Sequence, residues 1–387
     1  MSNRYICKKF KTEKESFFAK AAELKASKKG IIDLSLGDPD LITAKNIIRK
    51  AAFDAENGYT RYAHPRGDME LREEIIKYYH KNYNRKIDKE EIMLTVGACH
   101  GTFLALAAVL NPGEEVIIPS PYFSPYKEQV KLAGGKPVFV ENKFEADFQL
   151  NLKAIDKAVS KKTKAILINS PHNPTGSVQK KETLIELLKI ARKHDILIFS
   201  DEVYENFDYK NKFYSLIKFK DDFKRIILLN SFSKTFAMTG WRLGFVIADK
   251  NILDIMQNIN EGVCYSAPTV SQRAALEALK NEEKIKREIR NNFAKRVEYA
   301  NQRLKANKIM EVAAAEGSFY IFPRIKKSGI KAEKFALKLL EEKGVLVLPG
   351  NDFGDQKGDF IRIACTLKLE NLREAFDRID DFSQQFN

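Results

Sequence analysis

Cysteine is scarce in this chain: 387 residues carry four, Cys7, Cys99, Cys264 and Cys365, and no two form a C-x-x-C pair. Such scattered thiols suggest neither a disulfide framework nor a zinc site, and a reduced, cytoplasmic setting is expected. Long apolar runs are also missing. None approaches the roughly 18 residues that a membrane-spanning helix needs, and the opening MSNRYICKKFKTEKESFFAK lacks the apolar core of a signal peptide. No membrane partner is expected. Low-complexity stretches, internal repeats and flexible linkers are likewise lacking. So are the modules that read nucleic acid: there is no zinc-finger spacing, no aromatic RNP pattern and no basic zipper. The net charge of +14 therefore reads as a Lys-rich solvated surface, because acids interleave with the bases along the whole chain. No nucleic-acid partner is expected, and a mild attraction for anionic substrates is what remains of the charge. What is present suits a large globular protein: 44% hydrophobic and 11% aromatic residues, and length enough for two domains.

The most informative stretch is SFSKTFAMTGWRLG (231–244), which follows the apolar run IILLN (226–230), a buried strand by its composition. Ser231, Ser233 and Arg242 offer two hydroxyls and a fixed cation, the parts that hold a phosphate. Among them sits Lys234, whose amine can form a Schiff base with an aldehyde. One lysine inside a phosphate cradle points to a cofactor bearing both groups, pyridoxal 5'-phosphate (PLP).

The rest of the chain supplies matching parts. Residues 1–30 read as an amphipathic lead-in helix, with Phe17, Phe18, Ala21 and Leu24 at helical spacing. IIDLSLGDPD (31–40) is a short strand broken by Gly37, where a bare backbone can approach a ligand. A helix starts at Gly67-Asp68. From Ile92 strands, polar turns and helices alternate: IMLTV (92–96) enters GACHG (97–101) and a helix over 102–110, EVIIPSPYFSPY (115–126) adds a strand and aromatics, AILINS (165–170) ends in PHNPTG, and ILIFS (196–200) ends in DEVY. Backbone N–H groups at a helix start make an anion site. Polar motifs at successive strand ends predict an α/β parallel sheet with the ligand outside the carboxyl ends. From residue 281 the pattern changes to one long amphipathic helix, followed by strands in 317–325, 344–354 and 360–366. The expected architecture is α/β: a large domain (45–283) with a mostly parallel central sheet flanked by helices, and a smaller α+β domain (284–387) onto which an N-terminal segment (1–44) packs.

These motifs, in this order and spanning residues 31–366, resemble the class I/II aminotransferases, PLP enzymes of fold type I. The resemblance implies an aminotransferase that moves an amino group from an L-amino acid to a 2-oxo acid such as 2-oxoglutarate. A C–S lyase of the same fold is the alternative, disfavoured by Trp241-Arg242 and Arg362. It further implies that Lys234 carries the cofactor and that Asp201 pairs with its pyridine nitrogen. Asn173 and Tyr204 would donate to its phenolic oxygen, and Phe123 would stack on its ring. The backbone of Ala98 and Cys99 would join Ser231, Ser233 and Arg242 at the phosphate, together with Tyr62 of a neighbouring subunit, which implies a homodimer. Arg362, helped by Asn173 and the Gly37 backbone, would grip the substrate α-carboxylate. One departure concerns specificity. In one subgroup of aspartate aminotransferases a lysine in the phosphate-loop turn reads the distal carboxylate, whereas Cys99 stands there, beside His100. Aromatic or medium apolar donors are expected to rival aspartate, in a pocket that Tyr126, Tyr265 and Phe353 would make aromatic.

Overall fold

The computed structural model describes residues 17–326 and 329–386; the first part of the expected lead-in helix, residues 1–16, lies outside them. In chain order the elements are α1 (Phe17–Ser27), β1 (Ile32–Asp33), α2 (Lys45–Glu56), α3 (Met69–Tyr83), β2 (Ile92–Thr95), α4 (Gly97–Val109), β3 (Glu115–Ser120), α5 (Pro125–Leu132), β4 (Lys136–Glu141), α6 (Leu152–Ala158), β5 (Thr163–Asn169), α7 (Lys181–His194), β6 (Leu197–Asp201), β7 (Ile226–Ser231), the one-turn α8 (Phe232–Thr235), β8 (Gly244–Ile247), α9 (Lys250–Val263), α10 (Thr269–Lys280) and α11 (Glu282–Ala306). The remainder holds β9 (Met310–Glu311), β10 (Tyr320–Ile321), β11 (Arg324–Ile325), α12 (Ala332–Lys343), β12 (Val345–Leu346), β13 (Leu348–Pro349), β14 (Ile361–Ala364) and α13 (Leu369–Ser383). None of the described helices is long and apolar enough to cross a membrane.

Seven strands form the central sheet in the order β2-β8-β7-β6-β5-β3-β4. Only β8 runs against its neighbours; the other pairings are parallel. Its inner strands are apolar throughout rather than alternating, because helices cover both faces. Successive side chains still point to opposite sides: Ile166, Ile168, Ile198 and Leu228 join one core cluster, whereas Ala165, Leu167, Phe199 and Leu229 join the other. Because they run in one direction, β2, β3, β5, β6 and β7 all end at one edge, and the loops leaving them meet there.

Two local features set that edge. Asp68 starts α3 by accepting the Leu71 N–H at 3.3 Å, one of the donors a helix start leaves unpaired. Helix α4 begins at Gly97, five positions before the start expected from its apolar run. Gly97 adopts φ +74°, a conformation glycine takes without strain. The chain thus turns from β2 directly into the helix, and GACHG is its first turn.

The C-terminal region carries short strands. β14 lies between β10 and β13, and β9 pairs with β11, all antiparallel. The N-terminal segment joins this region: β1 runs parallel to β12, with Ile32 opposite Val345. The expected stripe on α11 (Ile285, Ile289, Phe293, Val297, Ala300, Leu304) is entirely buried.

Candidate active site

A cavity of about 330 Å³ opens where the sheet edge meets the N-terminal loop and β14. Gly37, Ala98, Cys99, Phe123, Asn173, Asp201, Tyr204, Ser231, Ser233, Lys234, Arg242 and Arg362 all line it. These residues come from widely separated stretches of sequence and are brought together by the parallel strand ends. Tyr62 is the exception. It is 85% exposed and rests edge-on against Tyr265, with ring centroids 5.2 Å apart, outside the cavity of its own chain.

Lys234 sits on the one-turn helix α8, whose start is fixed by Ser231: its Oγ accepts the Ser233 N–H at 3.1 Å and lies 2.9 Å from Ser233 Oγ. The Lys234 amine donates to the Gly37 carbonyl at 2.5 Å, so the loop between β1 and α2 is held across the cavity. On the other side of the two serines, Arg242 is anchored by an Nη1 bond of 2.9 Å to the Thr239 carbonyl. Gly97 makes room for it, since a Cβ there would fall 2.8 Å from Arg242 Nη2. Gly244 is equally constrained, with Ala98 N 2.7 Å from where its Cβ would be. Two hydroxyls, a guanidinium and the free N–H groups of a helix's first turn therefore face one space. That set suits a phosphate.

The opposite end of the cavity holds Asp201. Its Oδ2 accepts the Tyr126 hydroxyl at 2.5 Å and its Oδ1 the Val203 N–H at 3.2 Å. Asn169 clamps the neighbouring strand ends, donating to the Asp201 carbonyl at 2.9 Å and accepting the Asn173 N–H at 2.8 Å. Burial raises the Asp201 carboxyl to about 6, against which the Tyr126 and Val203 bonds work. A buried carboxylate on a cavity wall, bonded to neutral donors, suits a cationic ring nitrogen. PLP, with a phosphate at one end and a basic ring nitrogen at the other, fits the residues present.

The third part is Arg362 on β14. Its guanidinium lies between the rings of Tyr320 and Phe353, 4.5 Å from each centroid. Nη1 donates to Asn173 Oδ1 at 3.1 Å and Nη2 to the Ser35 carbonyl, while the buried Nε has no partner among the described residues. Tyr320 reaches so close to the N-terminal loop that a Cβ on Gly37 would fall 1.6 Å from its hydroxyl oxygen. Only glycine fits. The Tyr320 hydroxyl also lies 3.4 Å from that of Tyr204, whose own ionisation burial pushes well above the usual phenol range.

One expectation about the pocket needs correction. Tyr126 and Phe353 line it, but Tyr265 does not; it stands at the surface, 42% exposed. His100 is turned away, its Nδ1 accepting the Val96 N–H at 3.1 Å, and burial lowers its pKa. It caps its own turn. Cys99 opens onto the cavity, where desolvation and then the Asp201 charge push its thiol up. Sequence reading missed Ser35, Asn169 and Tyr320, and it took Tyr126 only as part of an aromatic wall. An Asn four residues before Asn173 was the one signal that could have been noticed, since β5 ends there.

A lysine between a phosphate cradle and a buried aspartate, at the carboxyl edge of a mostly parallel sheet, defines a PLP enzyme of fold type I. The chain belongs to the aminotransferase class I and II family, whose profile matches residues 29–379. It is a PLP-dependent transaminase. Similar proteins include an aspartate aminotransferase of Pyrococcus abyssi, 41% identical over 93% of this chain and 94% of that one. An aromatic-amino-acid aminotransferase of Thermococcus litoralis is 39% identical over 91% of each chain. The structure of aspartate aminotransferase from Thermus thermophilus with maleate superposes with a TM-score of 0.91 at 32% identity, covering 97% of this chain and 99% of that one. The C–S lyase alternative finds no support among these relatives.

Proposed function

We propose that this transaminase carries its cofactor on Lys234 and moves amino groups from L-amino acids, aromatic and medium apolar ones included, to 2-oxoglutarate. The observation that carries this reading is the convergence of Lys234, Asp201, Arg242 and Arg362 on one cavity. When bound, PLP supplies an aldehyde for the lysine and a ring that accepts electrons from the substrate Cα–H bond. The chain's own residues do the rest. Arg242, Ser231, Ser233 and the N–H groups of Ala98 and Cys99 hold the phosphate. Asp201 keeps a negative charge at the ring nitrogen, Asn173 and Tyr204 hydrogen-bond the phenolic oxygen, and Phe123 covers the ring. Arg362 grips the substrate α-carboxylate, its planar fork being suited to a bidentate contact. The Lys234 amine takes up the substrate Cα proton.

Among the described residues, the cations lining the cavity are Lys234, Arg242 and Arg362, and each has one of these tasks. None of the three remains for a distal carboxylate, while Leu36, Leu348, Phe123 and Phe353 provide apolar wall. This favours aromatic and apolar donors as rivals of aspartate. Aspartate exceeding phenylalanine, tyrosine and leucine by several orders of magnitude in kcat/KM would refute that preference.

The same reading makes the enzyme a homodimer. Leu36, Ile42, Tyr62, Val263 and Tyr265 expose apolar surface, and Tyr62 would reach the neighbour's phosphate site. It divides the chain into segments 1–44, 45–283 and 284–387. The decisive experiment is borohydride reduction of the loaded enzyme followed by peptide mapping. A pyridoxyl group on the Lys234 peptide is expected; the label on any other lysine would end the assignment.

A further inference from the structure

Tyr126 has no place among the groups that hold the cofactor or substrate, yet it makes one of the shortest contacts in the cavity. It lies on α5, is 2% exposed, and donates to Asp201 Oδ2 at 2.5 Å across 75 positions of sequence. Its ring packs edge-on against Phe123, with centroids 5.4 Å apart and planes at 84°. That contact fixes the direction in which the hydroxyl points. A hydroxyl donor favours the ionised form of the carboxylate that accepts it, and an ionised acceptor makes the bond stronger.

We propose that Tyr126 is a positioning residue for Asp201, holding its carboxylate in place and anionic so that it can pair with the protonated ring nitrogen of PLP. This rests on the role given to Asp201 above. The groups facing Asp201 are few. Cys99 comes from the first turn of α4, Tyr204 from the loop after β6, Lys234 from α8 and Arg242 from the turn that follows it, all opening on the same cavity. Among the described residues only Tyr126 and the Val203 N–H donate to the carboxylate oxygens. Burial pushes the carboxyl up, to about 6, and the Tyr126 bond is the larger of the two opposing contributions. Without the hydroxyl, the carboxylate would take up a proton at higher pH and lose its charge within the range where the enzyme works.

The test is titration of cofactor-free protein with PLP between pH 5.5 and 8.5, for the parent, Tyr126→Phe, Asp201→Asn and the double variant. Tyr126→Phe removes one oxygen and keeps the ring. It is expected to weaken PLP binding about tenfold at pH 6 and less at pH 8, on the scale of one charge-assisted hydrogen bond, moving the break in log Kd against pH upward by about one unit. The ionisations of PLP itself cancel between the two proteins. In the Asp201→Asn background the Tyr126→Phe penalty should shrink to within about threefold and lose its pH dependence. A penalty equal at every pH, or undiminished in the Asp201→Asn background, would make Tyr126 a packing residue and overturn the proposal. Asp201→Asn weakening PLP while Tyr126→Phe does nothing would remove Tyr126 alone. An Asp201→Asn protein that binds PLP as the parent does would remove the role of Asp201 and this proposal with it.

Discussion

Asp201 and Glu202 stand side by side at the end of β6, and both are buried to within 5% of full coverage. Strand geometry sends them to opposite sides of the sheet, and there their surroundings diverge. Glu202 points away from the cavity and is enclosed by protein donors: Ser200 Oγ at 2.8 Å and the Leu216 N–H at 3.0 Å on one oxygen, Ser215 Oγ at 2.5 Å on the other. Burial still lifts it to about 8, higher than the value of about 6 for Asp201. Asp201 has fewer donors but faces space. The difference teaches that burial alone does not mark a functional acid. A carboxyl closed in by its own protein works as a structural tie, whereas one left with open volume beside it is prepared for a ligand.

The largest break of this contrast is Asp201→Ala. With PLP loaded at saturating concentration, the half-reaction with a good donor should slow by ~10²–10³, the usual cost of losing one preorganised charge partner, while the melting temperature changes little. A rate within threefold of the parent would reduce Asp201 to the status of its neighbour. Next in size is Ser215→Ala, which removes the donor to Glu202 Oε2. It should cost about 1–2 kcal/mol in urea unfolding with kcat/KM within threefold. A large loss of turnover at unchanged stability would show that the core side of β6 also serves the reaction.

The smallest effect concerns pH. Glu202 in the folded protein lies above its ordinary value, so the folded state holds a proton that the unfolded chain releases at lower pH. Its contribution to stability is full at acid pH and is lost as pH rises toward and through about 8. Glu202→Gln cannot titrate, and the fall in melting temperature between pH 6 and 9 should shrink, by about 2 °C on the usual scale for a kcal/mol in a large domain. Parallel curves for variant and parent would mean that Glu202 keeps one charge state throughout.

Much of this was legible in the sequence because its signals are local. Apolar runs that end in Gly, Asn, Asp or Ser mark strands and the loops leaving them, and those loops supplied the cradle, Lys234 and Asp201. The stripe on α11 was visible for the same reason, as six apolar residues at helical spacing. What could not be read depends on distant pairings. Tyr126 looks like any aromatic until α5 brings its hydroxyl to Asp201 at the end of β6. Tyr265 looked like pocket lining until α9 carried it to the surface. Strand β8 is four residues long and runs opposite to its neighbours, which no pattern in GFVI announces. The start of α4 was misplaced because Gly97 reads as a turn, although its positive φ is what allows the helix to begin at once.

Arg362 donates to the carbonyl of Ser35 across 327 positions of sequence, and β1 lies against β12. During biosynthesis the chain emerges from its N-terminus, so Ser35 and Gly37 leave the ribosome long before the strand they need exists. The central sheet, with Lys234 and the phosphate cradle, is complete while the loop that will cover them still lacks its partner. A nascent chain halted after residue 247 has every strand of that sheet but neither the Arg362 guanidinium nor the Tyr320 ring beside Gly37. The wall that closes the cavity thus arrives only with the last quarter of translation, and on the role proposed for Arg362 an interrupted product would lack its grip on substrate.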